Sequence, residues 1–303
     1  MAAAGDHSNV EHVFRFFRVH KDCTIHRTHP SFDKIPAADD LTTGVRSKDV
    51  TISTDPPISA RIFVSKSAED PTRKLPLLFY VHGGGFCMQS AFSSTYHNYV
   101  STISSSADVI AVSVEYGLFP TRPIPACYED SWAALQWVAT HADGTGSDQW
   151  LNEYAEFNRV FIGGDSAGGN ITHTLVSRVG TVGLPGVNVV GAILMHPYFG
   201  GTDDDKMWLY INKENEGLQD RRLKPAADDL RRLGCEKVLV FVAEKDHLNG
   251  VGRNFVEELK KSGWKGSVEM KENKGKEHCF HLHETKDEQA LDLIKAVCSF
   301  INS

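Results

Sequence analysis

The sequence predicts an α/β protein built on a mostly parallel, doubly wound sheet flanked by helices. Two observations predict it. Five short runs are almost wholly apolar, as strands covered on both faces are, and longer amphipathic stretches separate them. Two of these runs end in glycine-rich corners, and in such sheets chemistry sits at the carboxyl ends of the strands.

Taken in order, residues 1–10 are small and polar and read as a loose terminus. Val50-Thr51-Ile52-Ser53 and the run Ala60 to Val64 read as two early strands about the turn at Pro56-Pro57. The apolar run Leu77 to Val81 lies between Pro76 and a set of glycines, and the runs at 109–114, 160–162, 192–195 and 238–242 repeat its character. Val268-Glu269-Met270 reads as a last strand. Between them, Pro125 to Ala139 starts at a proline and carries Tyr128, Trp132, Leu135 and Trp137 at near-helical spacing. Residues 167–179, 247–262 and 286–302 complete the helices. Strand–helix–strand order with short links implies parallel pairing.

A chain of 303 residues can bury a large core without staples, and α/β folds of this size often form one domain, so 1–303 is read as a single domain. The net charge of −7, with no long Lys/Arg cluster, argues against nucleic acid as a partner. Six cysteines without CxxC spacing read as free thiols in a reducing compartment. The start, Met1 to His7, carries an early acid and no apolar run, so no signal peptide is expected. No apolar run approaches about 20 residues, so no membrane span is expected. A soluble, cytoplasmic protein is the expectation.

The run 160–162 leads into Gly164-Asp165-Ser166-Ala167-Gly168, and a helix-compatible segment follows. This is the G-x-S-x-G elbow, in which a sharp strand-to-helix turn exposes a serine and side chains at the glycine positions would collide. Ser166 is therefore the candidate nucleophile, and the helix behind it places its positive end under a developing oxyanion. The run 77–81 leads into His82-Gly83-Gly84-Gly85-Phe86. Three glycines cost backbone entropy at a strand end, and they make sense where N–H groups must approach a substrate oxygen. Gly84, Gly85 and Ala167 are the candidate oxyanion donors. A dinucleotide loop does not fit, because G-x-G-x-x-G is not met. His82 reads as shaping the loop rather than reacting.

With both motifs in this order the chain is predicted to be an α/β-hydrolase, whose acid and base follow the serine in that order. Asp246 and Glu244 both qualify as the acid, just past the run 238–242, with Asp246 further into the loop. Asp203-Asp204-Asp205 lies too early and reads as solvated loop. His278, His281 and His283 lie between the last strand and the final helix, and His278 is nearest the strand end. No metal-ligand spacing is apparent and no cofactor is expected. Phe86, Tyr198, Phe199, Met207 and Trp208 are candidates for lining the pocket, though each would serve as core.

These residues resemble the plant carboxylesterase family, within the hormone-sensitive-lipase-like branch of α/β hydrolases. The similarity extends from Phe16-Phe17-Arg18-Val19-His20-Lys21-Asp22 and Thr43 to Val50, through Ile124 to Trp132, to Glu277-His278-Cys279-Phe280-His281. It agrees with Asp246 as the acid, and it implies a cytosolic esterase acting on small acyl esters, with cap elements from 1–40 and 200–222. Two departures stand out. Family members often carry Tyr-Arg-Leu-Ala-Pro-Glu-His where this chain has Tyr116-Gly117-Leu118-Phe119-Pro120-Thr121-Arg122, and residues 200–222 are shorter than the usual cap segment. Both are expected to touch pocket walls. The family also contains 2-hydroxyisoflavanone dehydratases, cyclases and gibberellin receptors. The receptors lack the histidine, whereas serine, acid and histidine are all present here.

Overall fold

The computed structural model describes residues 9–29, 32–70 and 73–303. Most of the loose terminus expected over 1–10 lies outside the described residues. The described chain opens with an antiparallel three-stranded meander, β1 (Val10–Val13), β2 (Phe17–His20) and β3 (Ile25–Arg27), in a region expected to supply cap elements but not expected to form strands. β4 (Arg46–Thr54) and β5 (Pro57–Val64) form the early hairpin. There follow β6 (Leu75–Val81), α1 (Ser94–Ala107), β7 (Ile110–Glu115), α2 (Ala126–Ala139), α3 (Gln149–Tyr154) and β8 (Ala155–Asp165). The chain continues with α4 (Ala167–Val182), β9 (Val189–Met195), α5 (Asp205–Ile211) and α6 (Ala227–Arg231). It ends with β10 (Lys237–Ala243), α7 (Asn249–Lys261), β11 (Ser267–Asn273) and α8 (Glu288–Asn302).

Eight strands form one sheet in the order β11-β10-β9-β8-β6-β7-β5-β4. It is parallel from β11 to β7, and β5 and β4 add antiparallel edges. Side chains alternate across a strand, so β6 feeds two cores. Leu77, Phe79 and Val81 join one with Leu135, Ile171 and Phe255 of α2, α4 and α7. Leu78 and Tyr80 join the other with Tyr99, Ile103, Leu293 and Val297 of α1 and α8. Burial on both faces is why β6 reads as an unbroken apolar run.

The meander lies against α5 and the loop after β7. Phe17 is buried 4.9 Å from Phe119, and Phe14 sits 5.0 Å from Tyr210, centroid to centroid. This places Arg15 and Phe16 above the carboxyl ends of β6 and β8, beside the two glycine corners.

Those corners depend on close backbone approach. A Cβ on Gly168 would fall 2.1 Å from the Val81 carbonyl oxygen, and one on Gly164 2.5 Å from the same atom. Neither contact can be relieved by turning a side chain. Gly168→Ala is therefore expected to destabilise the protein by about 1–3 kcal/mol, as overpacking does. Gly250, exposed in the first turn of α7, has open space around its missing Cβ. Gly250→Ala should stabilise by about 0.5–1 kcal/mol. Thermal unfolding of the two variants beside the parent checks both signs.

Candidate active site

Ser166 sits between β8 and α4 with φ 54 and ψ −119, a conformation rare for a residue with a side chain. Such strain costs on the order of 1–3 kcal/mol and persists where surroundings over-determine it. Here Ser166 N donates to Met195 O at 2.9 Å, and Ser166 O accepts from Tyr198 N at 3.0 Å. Gly164 and Gly168 let β6 pass at contact distance.

Ser166 Oγ lies 2.9 Å from His278 Nε2, and His278 Nδ1 lies 2.7 Å from Asp246 Oδ2. A carboxylate on Nδ1 fixes the tautomer that leaves Nε2 to accept the serine proton. Asp246 is buried just past β10, and its Oδ1 accepts from Leu248 N at 2.9 Å. Burial works to raise its pKa, but hydrogen bonds from His247 and His278 hold it below the ordinary carboxylate value. Glu244, the other acid considered, is exposed and accepts from Gly275 N instead. His281 is buried against Tyr99 and His196, and burial holds it well below the usual histidine range. Neither of its nitrogens has a hydrogen-bond partner.

His278 is aimed by its neighbours. Cys279 takes the left-handed conformation at φ 51, and its N–H donates to His196 Nδ1 at 2.9 Å. Burial pushes His196 down to about 4, so it stays neutral and can accept.

The His82–Phe86 loop lies across from Ser166. Gly84 and Gly85 have φ of 103 and 59, and a Cβ on Gly84 would meet the Met88 carbonyl oxygen at 2.2 Å. Gly83 N is committed to Tyr96 Oη and Asp165 Oδ1. Among the described residues no backbone carbonyl accepts from the N–H of Gly84, Gly85 or Ala167 outside regular elements. His82 is fully buried, donates from Nδ1 to Gly83 O at 2.8 Å and stacks on Tyr116 at 4.3 Å. Burial lowers its pKa and keeps it neutral.

A cavity of about 100 Å³ opens on Ser166 and His278. Phe16, Phe86, Tyr198, Met207 and Leu248 supply its apolar walls, and Arg15, Asp204 and His247 its polar side. Two sequence candidates are corrected. Trp208 is fully buried in the core with Nε1 3.4 Å from Tyr128 Oη, and Phe199 stacks on Phe255 at 4.6 Å, facing away from this cavity. The acidic run is corrected as well. Asp205 is buried and accepts from Tyr198 Oη and Gly201 N, while Asp204 lines the cavity, so neither is solvated loop. The departure at 117–122 also lies elsewhere. Gly117, Leu118, Thr121 and Arg122 line a separate cleft with Arg27, Lys34 and Glu115.

Two residues had not been foreseen. Asp165 is fully buried beneath the elbow and accepts from Tyr80 Oη and Tyr96 Oη, both at 2.7 Å. Its signal was its place inside the elbow motif, where a charge is an expensive choice. His247 sits beside Asp246 with no signal beyond adjacency.

His196, His278 and Cys279 bring possible ligand atoms within 4.8 Å of one another. They do not fit a metal. His278 is engaged on both nitrogens, His196 Nδ1 accepts from the chain, and burial holds the Cys279 thiol protonated. All six cysteines are free, and among the described residues no helix is long and apolar enough to cross a membrane.

A strained serine at a strand-to-helix turn, on a sheet of this order, defines the α/β-hydrolase class. The chain belongs to the alpha/beta hydrolase fold family, which it matches over residues 78–208 and 204–282, and within it to the plant carboxylesterases. It is similar to 2-hydroxyisoflavanone dehydratase of Glycyrrhiza echinata, 40% identical over 94% of this chain and 93% of that protein. It is also similar to an Arabidopsis thaliana protein named Probable carboxylesterase 5, 39% identical over 94% of this chain and 96% of that one. A solved esterase from the fungus Rhizomucor miehei shares the fold, with TM-score 0.73 at 22% identity over 85% of this chain and 83% of that one.

A hydroxyl in line with an imidazole and a carboxylate is primed for phosphonylation. A fluorophosphonate is expected to add to Ser166 and to react far more slowly with the His278→Ala variant. Peptide mass spectrometry locates the adduct, and an adduct on a different serine would remove Ser166 from the role.

Proposed function

We propose that the protein is a serine carboxylesterase that hydrolyses small acyl esters through an acyl-enzyme on Ser166. The observation that carries this reading is the line Ser166 Oγ–His278 Nε2 at 2.9 Å and His278 Nδ1–Asp246 Oδ2 at 2.7 Å. The carboxylesterase names of relatives at about 39% identity support it. His278 takes the serine proton as Oγ attacks the ester carbonyl, and Asp246 stabilises the imidazolium that forms. Gly84, Gly85 and Ala167 donate to the oxyanion, with the positive end of α4 behind Ala167. The imidazolium then protonates the leaving alkoxide. Water, deprotonated by His278, releases the acid. No cofactor enters these steps.

The meander β1–β3 and the 200–222 segment act as a small cap on a single domain. The cavity of about 100 Å³ favours a short acyl group, since pockets for drug-sized ligands run to roughly 300–1,000 Å³. Six free thiols support a cytosolic location as part of this reading.

Elimination is the second reading, because a relative at 40% identity is named a dehydratase. A lyase could use His278 alone to remove an α-proton, with no need of an oxygen nucleophile.

Ser166→Ala is expected to lower kcat on p-nitrophenyl acetate by up to about 10⁶-fold without unfolding the protein. His278→Ala should be nearly as severe, while His281→Ala costs stability but retains most activity. Turnover of a hydroxy-ketone to an alkene that survives Ser166→Ala would replace the esterase reading with the lyase reading. On chromogenic esters, kcat/KM should favour acetate and butyrate over octanoate. A preference for long chains would show that the cap does not close the cavity as described.

A further inference from the structure

We propose that His247 is a positioning residue that holds the acid Asp246 and ties it, through Asp204, to Arg15 of the N-terminal meander. The active-site geometry is then complete only when the meander is seated. The proposal rests on the esterase reading for its kinetic consequences but not for its structural ones.

The contacts form one chain. Ser166 Oγ meets His278 at 2.9 Å, and His278 meets Asp246 at 2.7 Å. The other carboxylate oxygen of Asp246 lies 3.2 Å from His247 Nδ1. His247 Nε2 lies 2.8 Å from Asp204 Oδ2, and Asp204 Oδ1 accepts from Arg15 Nε at 3.0 Å. Each nitrogen of His247 thus faces a carboxylate oxygen. A neutral imidazole has one N–H, so it would aim a lone pair at one of the two anions. Only the doubly protonated ring satisfies both.

The groups facing the ring come from every side. Asp246 is on the acid loop, Asp204 precedes α5, Arg15 is on the meander, and the His278 ring lies 5.6 Å away, centroid to centroid. Hydrogen bonds to Asp204 and then to Asp246 raise His247 to about 9, against the opposing effects of burial and Arg15. The proton therefore contributes stability fully below the unfolded value of about 6.5, and that contribution is lost as pH rises through about 9.

Losing the proton has unequal effects. Asp246 keeps Leu248 N and His278, so the acid stays in place but is less firmly held. The neutral ring keeps one N–H, and the shorter contact, 2.8 Å to Asp204 against 3.2 Å to Asp246, holds it on Asp204, so Asp246 is the carboxylate left facing a lone pair. The tie between the meander and the acid is then broken at Asp246, and Arg15, whose side chain is 45% exposed, holds Asp204 only weakly. Arg15 and Phe16 line the cavity, and the Phe16 ring stands where a Cβ on Gly85 would be, so an untied meander uncovers the oxyanion loop.

The test follows kcat and KM of the full chain on p-nitrophenyl butyrate from about pH 6 to 10, corrected for base hydrolysis. The parent should lose kcat as pH rises through about 9. His247→Gln, which keeps one donor but cannot carry the charge, should lower kcat about 10-fold at neutral pH and abolish that limb. Asp204→Asn removes the strongest influence on the ring, so the limb should move to lower pH and KM should rise. A limb that stays at the same pH in both variants overturns the proposal. If the parent hydrolyses no ester, the esterase reading has failed and the tie is judged by its own readout, NMR titration of isotope-labelled histidine rings. The His247 signal, identified by its loss in His247→Gln or by its shift in Asp204→Asn, should titrate near 9. A midpoint at or below about 6.5 overturns the proposal whatever the kinetics.

Discussion

Everything at the site hangs from one buried carboxylate. Asp165 closes β8, and its two oxygens accept from Tyr80 of β6, Tyr96 of α1 and the N–H of Gly83. Cys279, next to the base, sits 3.7 Å away on the same oxygen as Tyr96. Burial raises the pKa of this group, and the two tyrosine hydrogen bonds lower it. A group so placed cannot lose a partner cheaply, because an unpaired polar atom in the interior has no water to turn to. Strand, glycine loop, elbow and base loop are thereby fixed to one another from below.

The frame was legible because its physics is local. Five apolar runs mark strands covered on both faces, and β6, β7, β8, β9 and β10 are those strands. What escaped was whatever lacked a periodic signal of its own. α1 is rich in serine and threonine and is not among the helices expected, yet Tyr96, Tyr99, Val100 and Ile103 bury one face of it. The meander has strands of three or four residues, too short for alternation to stand out, and it gains order by packing on Phe119 and Tyr210.

The site divides in the same way. Ser166, His278 and Asp246 lie on loops that follow strands, so chain order and strand ends narrowed the choice, although position alone left Glu244 beside Asp246 and His281 beside His278. Pocket walls carry no such address. Phe199 and Trp208 look like wall residues by composition, but facing is set by tertiary packing, and both turn into the core. Asp204 and Asp205 look solvated by composition, yet partners almost 200 positions apart in sequence, or contributed by a buried tyrosine, draw them inward. Pairings over such separations leave no trace within a single sequence window.

Chain order has a consequence for synthesis. The roof of the site comes from residues 15 and 16, while its partner Asp204 follows Arg15 by 189 positions. At a ribosomal rate of about 5–20 residues per second, that is a wait of roughly 10–40 seconds. Over that interval Phe17 can already meet Phe119, whereas Phe14 waits for Tyr210. The pairing of Ser166 with His278 cannot form until the loop bearing His278, 112 positions further along, has emerged.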